Sequence, residues 1–303
     1  MSLLGSMKPS DGTPAVHIVI LNWNGGHTLC ETIDSVLSSD YPHTNLIVVD
    51  NASTDGSDVT VEQQFPAVTL IRNDANLGFA AGNNIGIAHA LQKGAAYILL
   101  LNNDALLDQA AIQTMVTALG TDPGRGAIVP KIRYYRPGGE PTLWAAGAEW
   151  RRFPPRVTMR GYGERDVGQY DRPGAIDYAT ACALLIRRET FQQAGLFDES
   201  YFMYQEDYAF CDRIRGGLKI WYEPQALVYH HVSASTGEGS PAKWHHWAKG
   251  ISLFYIQHYG SRARAIAPLT TFLLWVMMRE LAKGRLAWFR PFWRGVRAGW
   301  AEL

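Results

Sequence analysis

Along the first hundred residues, short apolar runs alternate with stretches in which apolar side chains recur every three or four positions. The runs cover residues 16–21, 46–49, 68–71 and 97–101, and helix-period stretches lie between them at 29–37, 59–65 and 80–91. A run that is apolar at nearly every position suits a strand buried on both faces. Helices between such strands predict a parallel sheet wrapped on both sides, with right-handed crossovers. The clearest run, at 97–101, stops on Asn102, Asn103 and Asp104. Polar groups at the end of such a strand lie at the carboxyl edge of the sheet, where open α/β sheets bind ligands. Asp50 and Asn51 end the run at 46–49 in the same way, and His230 and His231 end a strand-like stretch at 226–229.

Beyond residue 104 the rhythm loosens. The pattern predicts strands at 128–132, within 176–186, and as two short pieces at 219–222 and 226–229, with a helix over 207–214 and helices from 241 onward. Residues 134–174, rich in Pro, Gly and Arg and without a period, read as loop, hairpin or lid. This divides the chain into an unstructured, tag-like start (1–14), a catalytic unit (15–260) with a nucleotide half (15–104) and an acceptor half (105–240), and a helical tail (261–303).

Composition narrows the class. With 47% hydrophobic and 18% charged residues the chain buries a substantial core, and 28 basic residues against 28 acidic ones give no global reason to bind nucleic acid. Three cysteines far apart, Cys30, Cys182 and Cys211, lack metal-ligand spacing and fit the reduced thiols of a cytosol. The opening residues lack the charged start of a signal peptide. The apolar stretch at 265–278 is closed by Arg279 and falls short of the ~20 residues of a spanning helix. From Arg279 onward, six basic residues face two acidic ones and interleave with Trp288, Phe289, Phe292, Trp293 and Trp300. That composition suits a helix lying in a headgroup layer, which predicts peripheral contact with a membrane surface. It equally suits helices packed on the catalytic unit or on a second copy in a homodimer.

Three groups carry candidate chemistry. Asp104 suits a hard divalent cation, although an Asx turn ahead of a helix explains it as well. Glu206 and Asp207 are either residues that favour a helix dipole or an acid–base pair. His230 is either a satisfied buried imidazole or a ligand. A cation that bridges a diphosphate would unite the set.

The segments Val16-His17-Ile18-Val19-Ile20-Leu21-Asn22-Trp23-Asn24, Leu46 through Gly56 with its Asp50-Asn51-Ala52-Ser53-Thr54-Asp55 core, and Asn73 through Asn84 resemble family 2 glycosyltransferases, more narrowly their rhamnosyltransferase-like branch. The resemblance spans residues 16–260. It implies a GT-A fold, Rossmann-like, and inverting transfer of a hexose such as rhamnose from a dTDP- or UDP-sugar to a hydroxyl of a polysaccharide or lipid-linked glycan, in the cytoplasm or at the inner face of the cell membrane. By that match Asn22, Asn24, Asp50, Asn76, Gly78, Asn83, Asn102 and Asn103 line the nucleotide site. Asp104 and His230 hold Mg²⁺ or Mn²⁺, and Asp207 is the general base with Glu206 beside it. Gly78 and Gly82 would let backbone approach the ligand. The chain departs from the family pattern at Asn102, Ala181, Ala209 and Lys249-Gly250. These departures keep a catalytically weak or dead nucleotide-sugar or glycan-binding protein as one alternative. A sugar nucleotidyltransferase is another, although Asn22-Trp23-Asn24-Gly25-Gly26 lacks the basic residue its phosphate loop would want.

Overall fold

A computed structural model describes residues 12–232, 240–284 and 287–302. In chain order the elements begin β1 (Val16–Asn22), α1 (Gly26–Leu37), β2 (Thr44–Asp50), α2 (Ser57–Gln64), β3 (Thr69–Arg72), α3 (Gly78–Gln92) and β4 (Tyr97–Asn102). Next come β5 (Ala105–Leu107), α4 (Ala111–Gly120), β6 (Arg125–Tyr134), β7 (Leu143–Ala145), β8 (Ala148–Arg152), β9 (Pro155–Met159) and β10 (Gly174–Ile176). The remainder is β11 (Ala183–Arg187), α5 (Arg188–Ala194), α6 (Glu206–Ile214), β12 (Lys219–His230), α7 (Pro241–Tyr259), α8 (Arg262–Ala282) and α9 (Phe289–Glu302).

The main sheet runs β10-β12-β6-β11-β4-β1-β2-β3, with β5 added beside β12 and β7 beside β6. The half from β4 to β3 is parallel, and β11 runs antiparallel to both β4 and β6. Alternation along each strand feeds two cores. Val19, Val49, Ile98 and Leu100 face one layer of helices, and Ile18, Ile20, Val48 and Leu99 face the other. Gly82 and Gly86 let α3 press on β1, because a Cβ at either position would stand 2.4 Å from Leu21 or Val19. The ligand-approach role expected for Gly82 is therefore replaced by helix–sheet packing.

Two further expectations are revised, and the hairpin reading of residues 134–174 is met. The two short pieces near 219–229 are one strand, β12, with an irregularity between Glu223 and Leu227 around Pro224, which has no N–H for the ladder. In the stretch 176–186, Ile176 ends β10 and strand resumes at Ala183 in β11, with residues 177–182 between them a loop that makes one bridge, Tyr178 to Ala148. Residues 134–174 contain β7 and the β8–β9 hairpin. Their last turns are tied to β6 by Lys131, 3% exposed, which reaches Asp166 (3.1 Å) and Asp171, while Arg133 donates to Asp166 at 2.7 Å. Burial alone would raise the Asp166 carboxyl. Arg133, the Gly168 N–H and Lys131 outweigh it and hold the group below the ordinary carboxylate range.

The tail is part of the fold. Trp288, Phe292 and Val296 are buried and belong to the same core as the catalytic half. Gly295 and Gly299 face the His245 and Lys249 carbonyls of α7 so closely that a Cβ would lie 2.1 and 2.4 Å from them. The α8 helix is long and apolar enough to cross a membrane by length and composition, since its 21 residues extend past the apolar stretch at both ends. Ala265, Leu269, Phe272, Leu273 and Val276 are nonetheless buried in the protein.

Candidate active site

Strand register sets the floor of the site. In the β1–β2 ladder Asn22 stands opposite Asp50, and in the β1–β4 ladder Leu21 stands opposite Asn102, so three polar strand ends reach one level of the sheet edge. Asn22 is fully buried and ties these ends together. Its Nδ2 donates to Asp50 Oδ1 (2.8 Å), Ser53 Oγ (3.1 Å) and Ser57 Oγ (2.9 Å), and its Oδ1 accepts from Gly25 N and Asn103 Nδ2, both at 3.1 Å. An amide spent in this way shapes the pocket from below and has no group left for a ligand. Asp50, 3% exposed, also accepts from Ser53 N at 2.9 Å. Asn24 takes the left-handed backbone (φ 53°) and accepts from Thr54 N at 2.8 Å, which pins the β1 and β2 loops against each other.

The second wall is the 73–84 segment. Asn51 bridges to Asn76 Oδ1 and the Gly78 carbonyl and accepts from Asn73, so the end of β2 holds this loop closed. Asn76 in turn accepts from Gly78 N at 2.9 Å. Gly78 is required twice over: its φ is +84°, and a Cβ there would lie 2.3 Å from the Phe202 carbonyl. Asn83 is buried and donates back to the Phe79 carbonyl, so its side chain turns into α3. Phe202 and Ser53 were not foreseen as parts of this site. The only signal for them was membership of the aromatic stretch and of the Asp50–Gly56 loop.

Asp104 meets His230 through topology. The three residues after Asp104 form β5, which pairs antiparallel with the end of β12 and sets Ala105 opposite His230. Asp104 Oδ1 and His230 Nε2 are then 3.0 Å apart, both largely buried, with Trp144 edge-on to the imidazole at 4.4 Å. Burial favours the neutral ring, but the Cys182 sulfur and the Asp104 carboxylate beside it prevail and hold its pKa up at about 10. His231 turns away, its ring 4.2 Å from Tyr135. Asn102 donates its backbone N–H to the Cys182 carbonyl at 2.9 Å.

Glu206 and Asp207 open α6 after two consecutive left-handed residues, Tyr204 (φ 71°) and Gln205 (φ 76°). Each such non-glycine residue costs about 1–3 kcal/mol unless its surroundings hold it. Here α7 does so: Gly250 lies against the Tyr204 carbonyl, where a Cβ would be only 2.3 Å away. The turn buries Glu206, whose Oε2 has no hydrogen-bond partner among the described residues. Burial and the neighbouring Asp207 charge raise its pKa well above the usual range. Asp207 is pushed up to about 6 by burial, against the opposing N–H groups of Ala181 (3.2 Å) and Tyr208 (2.9 Å). Residues 181 and 182 thus join the two halves of the site, Ala181 through Asp207 and Cys182 beside His230. Lys249, where the chain departs from the family pattern, is paired with Glu302 at 2.9 Å.

The family model for glycosyl transferase family 2 matches residues 17–194, more than half the chain. The chain belongs to this family. The glycosyltransferase is 28% identical over 246 residues to an N-acetylglucosaminyl-diphospho-decaprenol L-rhamnosyltransferase of Mycobacterium tuberculosis, covering 74% of this chain and 78% of that protein. It is 27% identical over 206 residues to the low-salt glycan biosynthesis hexosyltransferase Agl10 of Haloferax volcanii, covering 65% and 61%. Among solved structures, GalNAc-T7 with UDP, GalNAc and Mn²⁺ superposes with a TM-score of 0.60 at 17% identity, covering 77% of this chain and 46% of that one. The mannosyltransferase PcManGT of Pyrobaculum calidifontis with GDP-Man and Mn²⁺ gives 0.58 at 17%, covering 98% and 90%. The fold of this family 2 glycosyltransferase is accordingly GT-A, with C-terminal helices added.

Proposed function

We propose that this glycosyltransferase inverts the anomeric centre of a hexose, rhamnose in the first instance, as it passes from a dTDP- or UDP-sugar to a hydroxyl of a polysaccharide or lipid-linked glycan. The observation that carries the reading is Asp207, a carboxylate with a pKa near 6 held by the Ala181 N–H on the same segment that touches the Asp104–His230 pair. A base poised just below neutral pH is ionised in the cell and still receives a proton readily. Asp207 takes the proton of the acceptor hydroxyl as its oxygen bonds to the anomeric carbon. The bond from that carbon to the diphosphate oxygen breaks in the same step, which inverts the centre. Asp50 keeps lone pairs for an imide N–H of the base, because each carboxylate oxygen has two.

Asp104 and His230 fit a divalent cation. They bring a carboxylate oxygen and a ring nitrogen within 3.0 Å of each other, a donor pair that would hold such an ion once the imidazole gives up its proton. Among the described residues no group of three His, Cys, Asp or Glu side chains comes together. Mg²⁺ or Mn²⁺ bound there would supply charge neutralisation for the departing nucleoside diphosphate. The Mn²⁺-bearing neighbours and the rhamnosyltransferase relative support this reading. The lipid-linked acceptor of that relative favours a place at the cytoplasmic face of the membrane.

The test is transfer from dTDP-rhamnose to a lipid-linked N-acetylglucosamine with Mn²⁺ present, the product's anomeric configuration being read by NMR. Inversion is expected. Retention, or absence of transfer from every dTDP- and UDP-sugar despite nucleotide binding, overturns it and favours a binding protein on a dead transferase fold.

A further inference from the structure

A helix that is apolar on every side belongs in a protein interior or in lipid, and α8 is such a helix lying on the surface. Its inner side is core, yet Ile266, Leu274, Met278 and Leu281 are each more than half exposed. At 100° per residue these four fall on one side of the helix, a stripe about 22 Å long. In α9, by contrast, Phe292 is buried against Trp244 and Trp247 of α7, and Phe289 is its one large apolar side chain left exposed.

Basic residues stand at both ends of the stripe, and α9 carries a basic side of its own. Arg262 and Arg264 stand exposed at the start of α8 and Lys283 at its end, and α9 turns Arg290, Arg294 and Arg297 outward at a spacing of four and three residues. The two acidic residues between 262 and 302 are both occupied, Glu280 buried against Arg279 and Lys283, and Glu302 paired with Lys249. A second copy of the chain is disfavoured as occupant, because antiparallel α8 helices would bring Arg262 and Arg264 of one against Lys283 of the other.

We propose that the outer side of α8, flanked by Arg262, Arg264 and Lys283, is a docking surface for an anionic bilayer, with the helix lying in the headgroup plane. Apolar side chains then enter the acyl boundary while arginines meet lipid phosphates. The inference does not depend on which sugar is transferred.

The experiment is co-sedimentation of the full chain with vesicles of phosphatidylcholine alone and with about 40% phosphatidylglycerol. Binding is expected to the anionic vesicles, to weaken as NaCl rises from about 0.05 to about 0.5 M, and to be released by alkaline carbonate. The pair Leu274→Asp/Met278→Asp, and separately Arg262→Gln/Arg264→Gln, should each lower the bound fraction at least ~10-fold with melting curves and transfer to a soluble acceptor unchanged. The proposal is overturned by absence of binding to anionic vesicles, by parent-like binding of either variant, or by resistance to carbonate, which would make α8 a spanning helix. A dimer in sedimentation velocity that Leu274→Asp/Met278→Asp dissolves would also overturn it, since a second copy would then cover the stripe.

Discussion

Replacing Asp207 by Asn separates the chemistry of this residue from its effect on the fold. The carboxyl ordinarily ionises near 3.8 and here near 6, mainly because the folded chain buries it. At about 1.4 kcal/mol per pKa unit, the folded state gives up about 3 kcal/mol in ionising it. The sign follows from the raised pKa. The contribution is fully present below the unfolded value of 3.8, where folded and unfolded chains are both protonated, and is lost as pH climbs through about 6. An Asn cannot titrate, so the stability of Asp207→Asn relative to the parent improves by about 3 kcal/mol between pH 3.5 and pH 7, whatever constant offset the lost hydrogen bond from Ala181 or Tyr208 adds. Urea denaturation of both proteins at a series of pH values measures that gap. In the same variant transfer falls by at least ~100-fold, the scale of general-base catalysis, and nucleotide binding persists. In the parent, kcat/KM declines below pH 6 and reaches about a tenth of its plateau at pH 5. A gap that stays flat with pH, or an acid limb near 4, would refute the raised pKa; near-parent turnover of Asp207→Asn would refute its role as base.

Two other outcomes are expected. Asp104→Ala abolishes the Mn²⁺-dependent part of nucleotide binding and His230→Ala weakens it, as titration calorimetry with and without Mn²⁺ will register; unchanged affinity in both removes the ion from this pair. Gly82→Val forces two methyl groups against Leu21 and lowers stability by about 1–3 kcal/mol; a loss of nucleotide affinity without loss of stability would return Gly82 to the ligand-binding role that its motif suggests.

The parallel half of the sheet was legible because its signal is local. Each strand is a run of apolar residues ending in a polar one, and β1, β2 and β4 lie where such runs occur. The Asp104–His230 pair was less legible, since it depends on β5, three residues with no period of their own, pairing with the far end of β12. Sequence supplied both residues but not the contact, nor the reason His230 faces Asp104 while His231 faces Tyr135. In the tail the amphipathic pattern was plain, yet an apolar helix face does not say whether lipid or protein covers it. The two glycines of α9 carried the missing information. Residues without a Cβ four positions apart, Gly295 and Gly299, mark a face that another backbone approaches, and that backbone is α7.

A carboxylate pair adjacent in sequence reads as two equivalent candidates, and its environment makes them unequal. Glu206 is sealed under the left-handed turn, where burial and the Asp207 charge raise its carboxyl well above the ordinary range, while Asp207 receives two backbone N–H groups and gives its proton up near 6. Environments that push two pKa values apart assign the roles, the neutral acid beside and the ionised base at the reacting hydroxyl. What holds the difference in place is remote from both. The strained Tyr204-Gln205 turn is pressed by Gly250 of α7, and α7 is clasped from its other side by α9. The C-terminal helices thus pack against the turn that positions Glu206 and Asp207, α7 directly and α9 behind it.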